Sequence, residues 1–333
     1  MLELDGSYGE GGGAILRAAT ALSAITKTPV KVTNIRVGRK EPGLKPQHLL
    51  GLKAAAELCG AKLTGAEIGS KETTFVPGKI RAGGFKFDVG TAGSITLILQ
   101  TLVPIAAYAP GKVKLEIRGG TNVPWSPPIE YFQNVYSEYL ERMGVLVNSE
   151  VMKYGFYPKG GGIVNAEVRP GKQLTPLDLT KRGKLLNIKA WAISTKDLEK
   201  AEVSERMLAA LRKEITDYKI SGFAEYVDSL SSGAYVYCHA LLENCKLGAS
   251  ALGERGKPAE TVGREAALEL MKEISSQATV DKHLADQLIL YLGLAGGSFV
   301  TSEVTEHTKT NIWVTEKFVD KKFKLGGNTI SAD

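Results

Sequence analysis

The sequence repeats itself and the repeat is interrupted, and no other feature restricts the possible folds as much. Leu2-Glu3-Leu4-Asp5 reads as a short strand, followed by a glycine-rich run and then by apolar residues at helical spacing, Ile15, Leu16, Ala19, Leu22 and Ile25. A second strand, Val30 to Arg36, follows Pro29. After a polar turn around Pro42 and Gly43, a helix runs from about Gln47 to Cys59 and stops at Gly60, the residue type best suited to a left-handed helix end. The same order then recurs. Phe85-Lys86-Phe87-Asp88 matches Leu2 to Asp5, Thr91 to Ser94 opens a helix, Lys112 to Arg118 is a strand, and Pro128 to Met143 is a helix ending at Gly144. The offsets agree: 83 positions from Leu2 to Phe85, 82 from Arg36 to Arg118 and 84 from Gly60 to Gly144. A unit of about 80 residues, built from strands and two helices, is repeated.

A third copy is cut. Gly155-Phe156-Tyr157-Pro158 lies where Thr74-Phe75-Val76-Pro77 would recur, 81 positions on, but no helix follows near residue 175, and Pro170, Gly171 and Pro176 mark a loop instead. The missing helix is read at His283 to Ala295, followed by a strand from Phe299 to Val304 that lies 186 positions after Val113 to Arg118, so roughly 100 residues are inserted. The insert contains a strand from Leu185 to Ile193, a helix from Leu198 to Tyr218, strands Gly233 to His239 and Leu247 to Leu252, and a helix from Ala259 to Ser275. The expected fold is α/β (α+β). Its body is three repeated strand-helix units in a pseudo-threefold arrangement, residues 1–182 and 279–333, with a smaller α/β domain, 183–278, inserted in the third repeat.

With 333 residues, 43% of them hydrophobic and 23% charged, the chain can bury a large core without staples. Cys59, Cys238 and Cys245 have no metal-ligand spacing and read as reduced core thiols. Met1 leads directly into a strand with no secretory leader. The apolar runs Ile95 to Ala109 and Leu284 to Leu294 are broken by Gln100, Pro104, Asp286 and Gln287, so the expected compartment is the cytoplasm, with no membrane span. A net charge of +6 favours an anionic partner such as nucleic acid or nucleotide.

Three clusters could carry chemistry. The loop Gly9 to Ala14 formally fits the dinucleotide fingerprint G-x-G-x-x-A, but that pattern needs an acid ending the second strand, and here the strand ends in Arg36. Glycines at a helix start still let backbone N–H groups approach an anion. Arg17, one turn in, is unfavourable against the helix dipole unless an anion sits there, and Glu10 would suit a divalent metal bridging phosphates. Taken alone the loop reads as a tight turn with a surface acid and a solvated arginine. The second cluster, residues 36–48, sets Arg36, Arg39, Lys40, Lys45 and His48 on a Gly/Pro loop, where forked guanidinium groups suit phosphate oxygens; Gln47 and His48 start the next helix and face the same anion. The third is His307. The alternation Asn311-Ile312-Trp313-Val314-Thr315 reads as a half-buried strand, which places His307 at or just before a strand end.

Seven blocks, DGSYGEGGGAILR, IRVGRKEPGLKPQH, GTAGSITLILQT, GFYPKGGG, LGERGKPAE, HLADQL and EHTKTN, in this order and spacing, resemble the RNA 3'-terminal phosphate cyclase family over essentially the whole chain. The resemblance implies three repeats like the C-terminal domain of a bacterial translation initiation factor, with a smaller inserted domain. It also implies an enzyme that converts a 3'-phosphate at an RNA end to a 2',3'-cyclic phosphate at the expense of ATP. By the same resemblance His307 is the nucleophile that attacks the α-phosphate of ATP and becomes adenylylated; AMP passes to the RNA 3'-phosphate, the vicinal 2'-hydroxyl attacks, and AMP leaves. His283, Leu284, Ala285, Asp286 and Gln287 match the ATP-site segment, with His283, where related sequences can carry tyrosine, stacking on adenine opposite Pro127. Gln100 matches a nucleotide-contacting position. Glu10 matches the ligand of a divalent ion, Mg2+ or Mn2+, and Arg17, Arg36, Arg39, Gln47 and His48 match the phosphate-handling set, of which Arg17, Arg39 and His48 stand with His307 as catalytic. Gln100 and Gln287 also read as polar positions at helix packing boundaries, and Asp286 as a surface acid. The implied partners are ATP and RNA with a 3'-terminal phosphate. Two other readings stay in view. One is a non-catalytic cyclase-like RNA-binding protein of ribosome assembly, a class that lacks the histidine this chain has; the other is an enolpyruvyl transferase, built from related repeats in a longer chain with no need of a nucleophilic histidine.

Overall fold

The computed structural model describes residues 1–333. The chain begins with β1 (Leu2–Asp5), α1 (Gly13–Thr26), β2 (Val30–Thr33), α2 (Pro46–Cys59), β3 (Lys62–Thr64) and β4 (Thr73–Val76). These strands form a sheet in the order β1-β2-β4-β3, the first pair parallel and the others antiparallel. Next come β5 (Gly83–Asp88), α3 (Ile95–Ala106), β6 (Val113–Gly119), the short α4 (Ile129–Tyr131), a π-helical turn (Phe132–Tyr136), α5 (Ser137–Arg142), β7 (Leu146–Lys153) and β8 (Gly162–Arg169). Their sheet runs β5-β6-β8-β7 with the same directions.

After β9 (Leu177–Leu179) the chain makes β10 (Leu185–Thr195), a 3-10 turn (Lys196–Ala201), α6 (Val203–Glu214), β11 (Ile220–Val227), β12 (Ala234–Leu242), β13 (Lys246–Leu252) and α7 (Ala259–Ser275). β10 to β13 form their own sheet, β11-β10-β12-β13, on which α6 and α7 pack against each other. The chain then resumes with α8 (Lys282–Ala295), β14 (Gly297–Val300), α9 (Glu306–Thr315), β15 (Phe323–Gly326) and β16 (Thr329–Ala332). The fourth sheet, β9-β14-β16-β15, repeats the strand order and directions of the first two. The molecule is a mixed α/β structure of four small sheets, and no helix is long and apolar enough to cross a membrane.

A single apolar cluster of 87 buried residues runs from Leu4 through Tyr237 to Ala332, so the core is continuous between the β10–β13 sheet and the rest. One buried carboxylate ties the parts at the point that matters for the site. Asp281 caps α8 by accepting from His283 N and Leu284 N at 3.1 and 3.0 Å, while it also accepts from Tyr131 OH at 2.6 Å and from Gly248 N of β13 at 2.9 Å. The start of α8 is thereby fixed to the helix after β6 and to the edge of the β10–β13 sheet.

Several expected elements differ. Asn311 to Thr315 is helical: Thr305 Oγ1 caps α9 by accepting from Thr308 N at 3.2 Å, and the helix packs on α1 and α8, so tertiary packing overrides the β-branched composition. His307 therefore sits in the first turn of a helix, not before a strand. β2 stops at Thr33 because Asn34 and Arg36 turn left-handed, at φ 50° and 55°. β14 ends at Val300, short of Val304. The helix expected from Leu198 to Tyr218 is broken at Glu202, which sits at φ 51°, and β11 follows it unforeseen. Gly155 to Pro158 lies between β7 and β8, whereas the strand that occupies the place of β4 in the second sheet is β8.

Two helical glycines should respond oppositely to alanine. A Cβ on Gly263 of α7 would collide with the backbone carbonyl of Met207 in α6, so Gly263→Ala is expected to destabilise by about 1–3 kcal/mol. Gly51 of α2 has its nearest neighbours at an ordinary 3.7 Å, so Gly51→Ala should gain up to about 1 kcal/mol of helix propensity. Urea midpoints of the two variants against the parent check both signs.

Candidate active site

The first loop is shaped by its glycines. Gly9 and Gly11 take left-handed conformations, φ 55° and 61°, that fold the Glu10 carboxylate back over Gly12, where a Cβ would stand 2.5 Å from Oε2. Arg39, from the turn after β2, pairs with Glu10 Oε1 and donates to the Glu10 carbonyl at 3.2 Å. From the far end of the chain, His307 Nδ1 lies 3.4 Å from Glu10 Oε2. That oxygen is buried and has no hydrogen-bond partner, a costly state for a carboxylate unless something positive approaches it. The His307 ring is half exposed.

α9 is held in place by polar contacts that alternation in the sequence did not announce. Thr310 Oγ1 accepts from Glu10 N at 3.4 Å, and Asn311 Nδ2 donates to the Asp286 carbonyl of α8 at 2.9 Å. Trp313 stacks on Tyr8 of the first loop with ring centroids 4.0 Å apart. Thr310 and Trp313, three positions apart, share the side of the helix that meets the first loop, a 3.6-residue pattern that a two-residue period hides, while Asn311 turns toward α8.

Behind this group, His48 and Arg17 pack against Gly13, whose added Cβ would lie 2.6 Å from His48 Nε2 and 3.1 Å from Arg17 Nη1. Lys45 N donates to His48 Nδ1 at 3.2 Å. Burial first, then the charges of Arg17, Arg36 and Lys45, push the His48 pKa down to about 3, so the ring is neutral and, with Nδ1 accepting, Nε2 carries the proton. Arg17 makes no hydrogen bond or ion pair within the chain. Burial lowers its pKa while Asp286 and Glu10 raise it, and a guanidinium keeps its proton, so its charge stands unneutralised near the start of α1. Asp286 is pushed up to about 7 by burial, which outweighs the lowering by Arg17, with Asp281 and Glu10 adding to the rise.

These groups border a cavity of about 460 Å³, a volume suited to a nucleotide. Its walls are the loop 121–128, Leu97 and Gln100 of α3, His283, Asp286 and Gln287 of α8, Arg17, His307, and Ala249 to Leu252 of β13. Of the residues singled out in the sequence, Arg17, Gln100, Pro127, His283, Asp286, Gln287 and His307 share this cavity. Gln47 and His48 border a narrow pocket on the other side of Arg17, with Gln47 Oε1 accepting from Ser94 N at 3.2 Å. Glu10 and Arg39 adjoin the cavity through His307. Three residues stand elsewhere. Leu284 and Ala285 are fully buried on the inner side of α8. Arg36 staples its own turn, donating to Glu41 O at 2.9 Å and Gly43 O at 3.0 Å. Residues the sequence reading passed over include Asn122, Trp125, Tyr131 and Tyr235 on the walls; the proline-dense run Pro124 to Pro128 was the available signal for the first two.

The raised Asp286 pKa sets a sign for stability against pH. The folded state holds this proton more tightly than the unfolded chain, so the group's contribution is fully present below about pH 4 and is lost as pH rises through about 7. Asp286→Asn removes that loss. Relative to the parent, its urea midpoint should be higher at pH 8 than at pH 5; an equal difference at both pH values would contradict the assignment.

The family model described as RNA 3'-terminal phosphate cyclase matches residues 8–325. The chain is similar to proteins named RNA 3'-terminal phosphate cyclase from Pyrococcus abyssi, 45% identical over 98% of this chain and 96% of that one, and from Pyrococcus furiosus, 44% identical with the same coverage. Another so named, from Methanococcoides burtonii, is 44% identical over 98% of this chain and 96% of its own. The chain belongs to the RNA 3'-terminal phosphate cyclase family of enzymes.

Proposed function

We propose that this chain converts an RNA 3'-terminal phosphate to a 2',3'-cyclic phosphate with ATP as the AMP donor, releasing AMP and pyrophosphate. The observation that carries the reading is His307 at the wall of a nucleotide-sized cavity, with a carboxylate 3.4 Å from its Nδ1. A proton on Nδ1, the nitrogen beside the Glu10 carboxylate, leaves the lone pair on Nε2, and a neutral imidazole nitrogen is a competent nucleophile near pH 7. Nε2 attacks the α-phosphorus of ATP, an N–P bond forms and pyrophosphate leaves. An oxygen of the RNA 3'-phosphate then attacks the same phosphorus, the N–P bond breaks, and an RNA-3'-pp-5'-A anhydride results. The neighbouring 2'-hydroxyl, already held beside the 3'-phosphorus, attacks with loss of its proton, and AMP departs.

The supporting roles follow from placement. The unneutralised Arg17 and the Nε2–H of neutral His48 offer donors to phosphate oxygens at the start of α1, and Arg39 stands next to Glu10. Pro127 and His283 present faces for adenine, with Gln100, Asp286 and Gln287 as the polar groups around it. Gln47 and Arg36 act by holding the neighbouring turns, and Leu284 and Ala285 by seating α8.

Glu10 fits a divalent ion, Mg2+ or Mn2+, in one respect: Oε2 is a buried oxygen without a partner. No group of three His, Cys, Asp or Glu gathers around it, so Glu10 would hold the ion with phosphate and water oxygens completing the shell. Such an ion would supply charge neutralisation at the phosphates. The three sheets of like order support a pseudo-threefold body of repeated units, 1–182 and 279–333, with 183–278 as an inserted domain that closes one side of the cavity.

Incubation with α-labelled ATP and a divalent ion, followed by denaturing electrophoresis, should label the protein in an acid-labile bond, and His307→Ala should abolish the label. Persistent label in His307→Ala would assign the nucleophile to another residue, and no label in the parent at any pH or metal would favour a non-catalytic RNA-binding role; either result would sink the mechanism. Glu10→Ala and Arg39→Ala should each lower the rate of labelling at least about tenfold with an unchanged circular dichroism spectrum.

A further inference from the structure

Trp125 is the least expected residue at the cavity. It is 97% exposed although it lines the same cavity as His307, and nothing in the chain covers its ring. Its backbone sits at φ 63°, unfavourable for a bulky side chain and persisting only where the surroundings over-determine it. Those surroundings are present. Asn122 Nδ2 donates to Glu130 at 2.9 Å, Ser126 Oγ donates to Val123 O at 3.0 Å, and Thr96 Oγ1 donates to Pro127 O at 2.8 Å. Prolines at 124, 127 and 128 fix φ on both sides. The loop is rigid, and its strain is spent on holding one indole outward at the mouth of the site.

We propose that Trp125 is the platform on which the nucleobase of the RNA's terminal nucleotide stacks while its phosphate lies against His307. The proposal rests on the function proposed above and adds to it how the RNA end is positioned. A flat indole suits an enzyme that must accept any terminal base, because every base offers a π-face and stacking asks for no particular edge. A single-stranded end has its base free to do so. The adenine of ATP is the competing occupant; its proposed place lies between Pro127, two residues along the same loop, and His283 of α8.

The test compares the parent, Trp125→Ala and Trp125→Phe on 3'-phosphorylated oligoribonucleotides whose terminal ribose either carries a base or is abasic. Trp125→Ala should raise KM for the normal oligonucleotide about tenfold, leave KM for the abasic one unchanged, and leave labelling by ATP alone within about twofold; Trp125→Phe should recover most of the loss. Without ATP, the normal oligonucleotide should quench tryptophan fluorescence of the parent and not of Trp125→Phe. This binding signal needs no turnover, so it reports on Trp125 even if the cyclisation reading fails. Equal quenching in both proteins overturns the proposal, as does an unchanged KM in Trp125→Ala. A loss of labelling by ATP alone as large as the loss in KM also overturns it, because that assigns the indole to adenine.

Discussion

The carboxylate of Glu10 is the point on which the rest of the site depends. It joins the first loop to Arg39 on one side and to His307, nearly three hundred residues away, on the other. Glycine makes the arrangement possible: the carboxylate occupies the space a side chain at Gly12 would need, and His48 and Arg17 occupy the space at Gly13. An acid, two imidazoles and two guanidinium groups are thereby brought to one helix start.

Such a group is expensive to assemble. Glu10 Oε2 has no hydrogen-bond partner, Arg17 is unpaired, Asp286 is held near neutrality, and Arg36 and Trp125 sit in left-handed conformations. Each of these costs free energy and is offset by a core that runs unbroken through all four sheets. Asp281 shows how that core reaches the site, since one buried carboxylate fixes the start of α8, a tyrosine after β6 and the edge strand of the β10–β13 sheet. The cavity is bounded partly by that edge strand, so the β10–β13 sheet is a wall of the site and not a remote appendage.

The parts of this arrangement that were legible in the sequence are those written in local chemistry. α7 was read to the residue, because its apolar positions Val262, Ala266 and Leu270 keep helical spacing, and the end of α2 was read from Gly60, which takes the left-handed cap at φ 61°. Arg17, Gln100, Asp286 and His307 were named from spacing and resemblance and border one cavity. What failed depends on contacts that exist only once the chain is folded. α9 reads as a strand until α1 and α8 are there to pack against it, and Arg36 reads as an anion ligand until its own turn supplies two carbonyls. Leu284 and Ala285 fall beside functional positions in sequence but on the opposite side of a helix, a separation only the 3.6-residue turn reveals. Trp125 was passed over although the prolines around it marked its loop, because exposure of an aromatic ring is not written in its neighbours.

The central claim is that a single nitrogen of His307, the one turned away from Glu10, carries AMP inside this cavity. A crystal structure of the protein after exposure to ATP and a divalent ion tests it most directly. The account expects AMP bonded to His307 Nε2, adenine between Pro127 and His283, and phosphate oxygens reached by Arg17. AMP on Nδ1, or nucleotide bound outside the cavity with His307 unmodified, would contradict it.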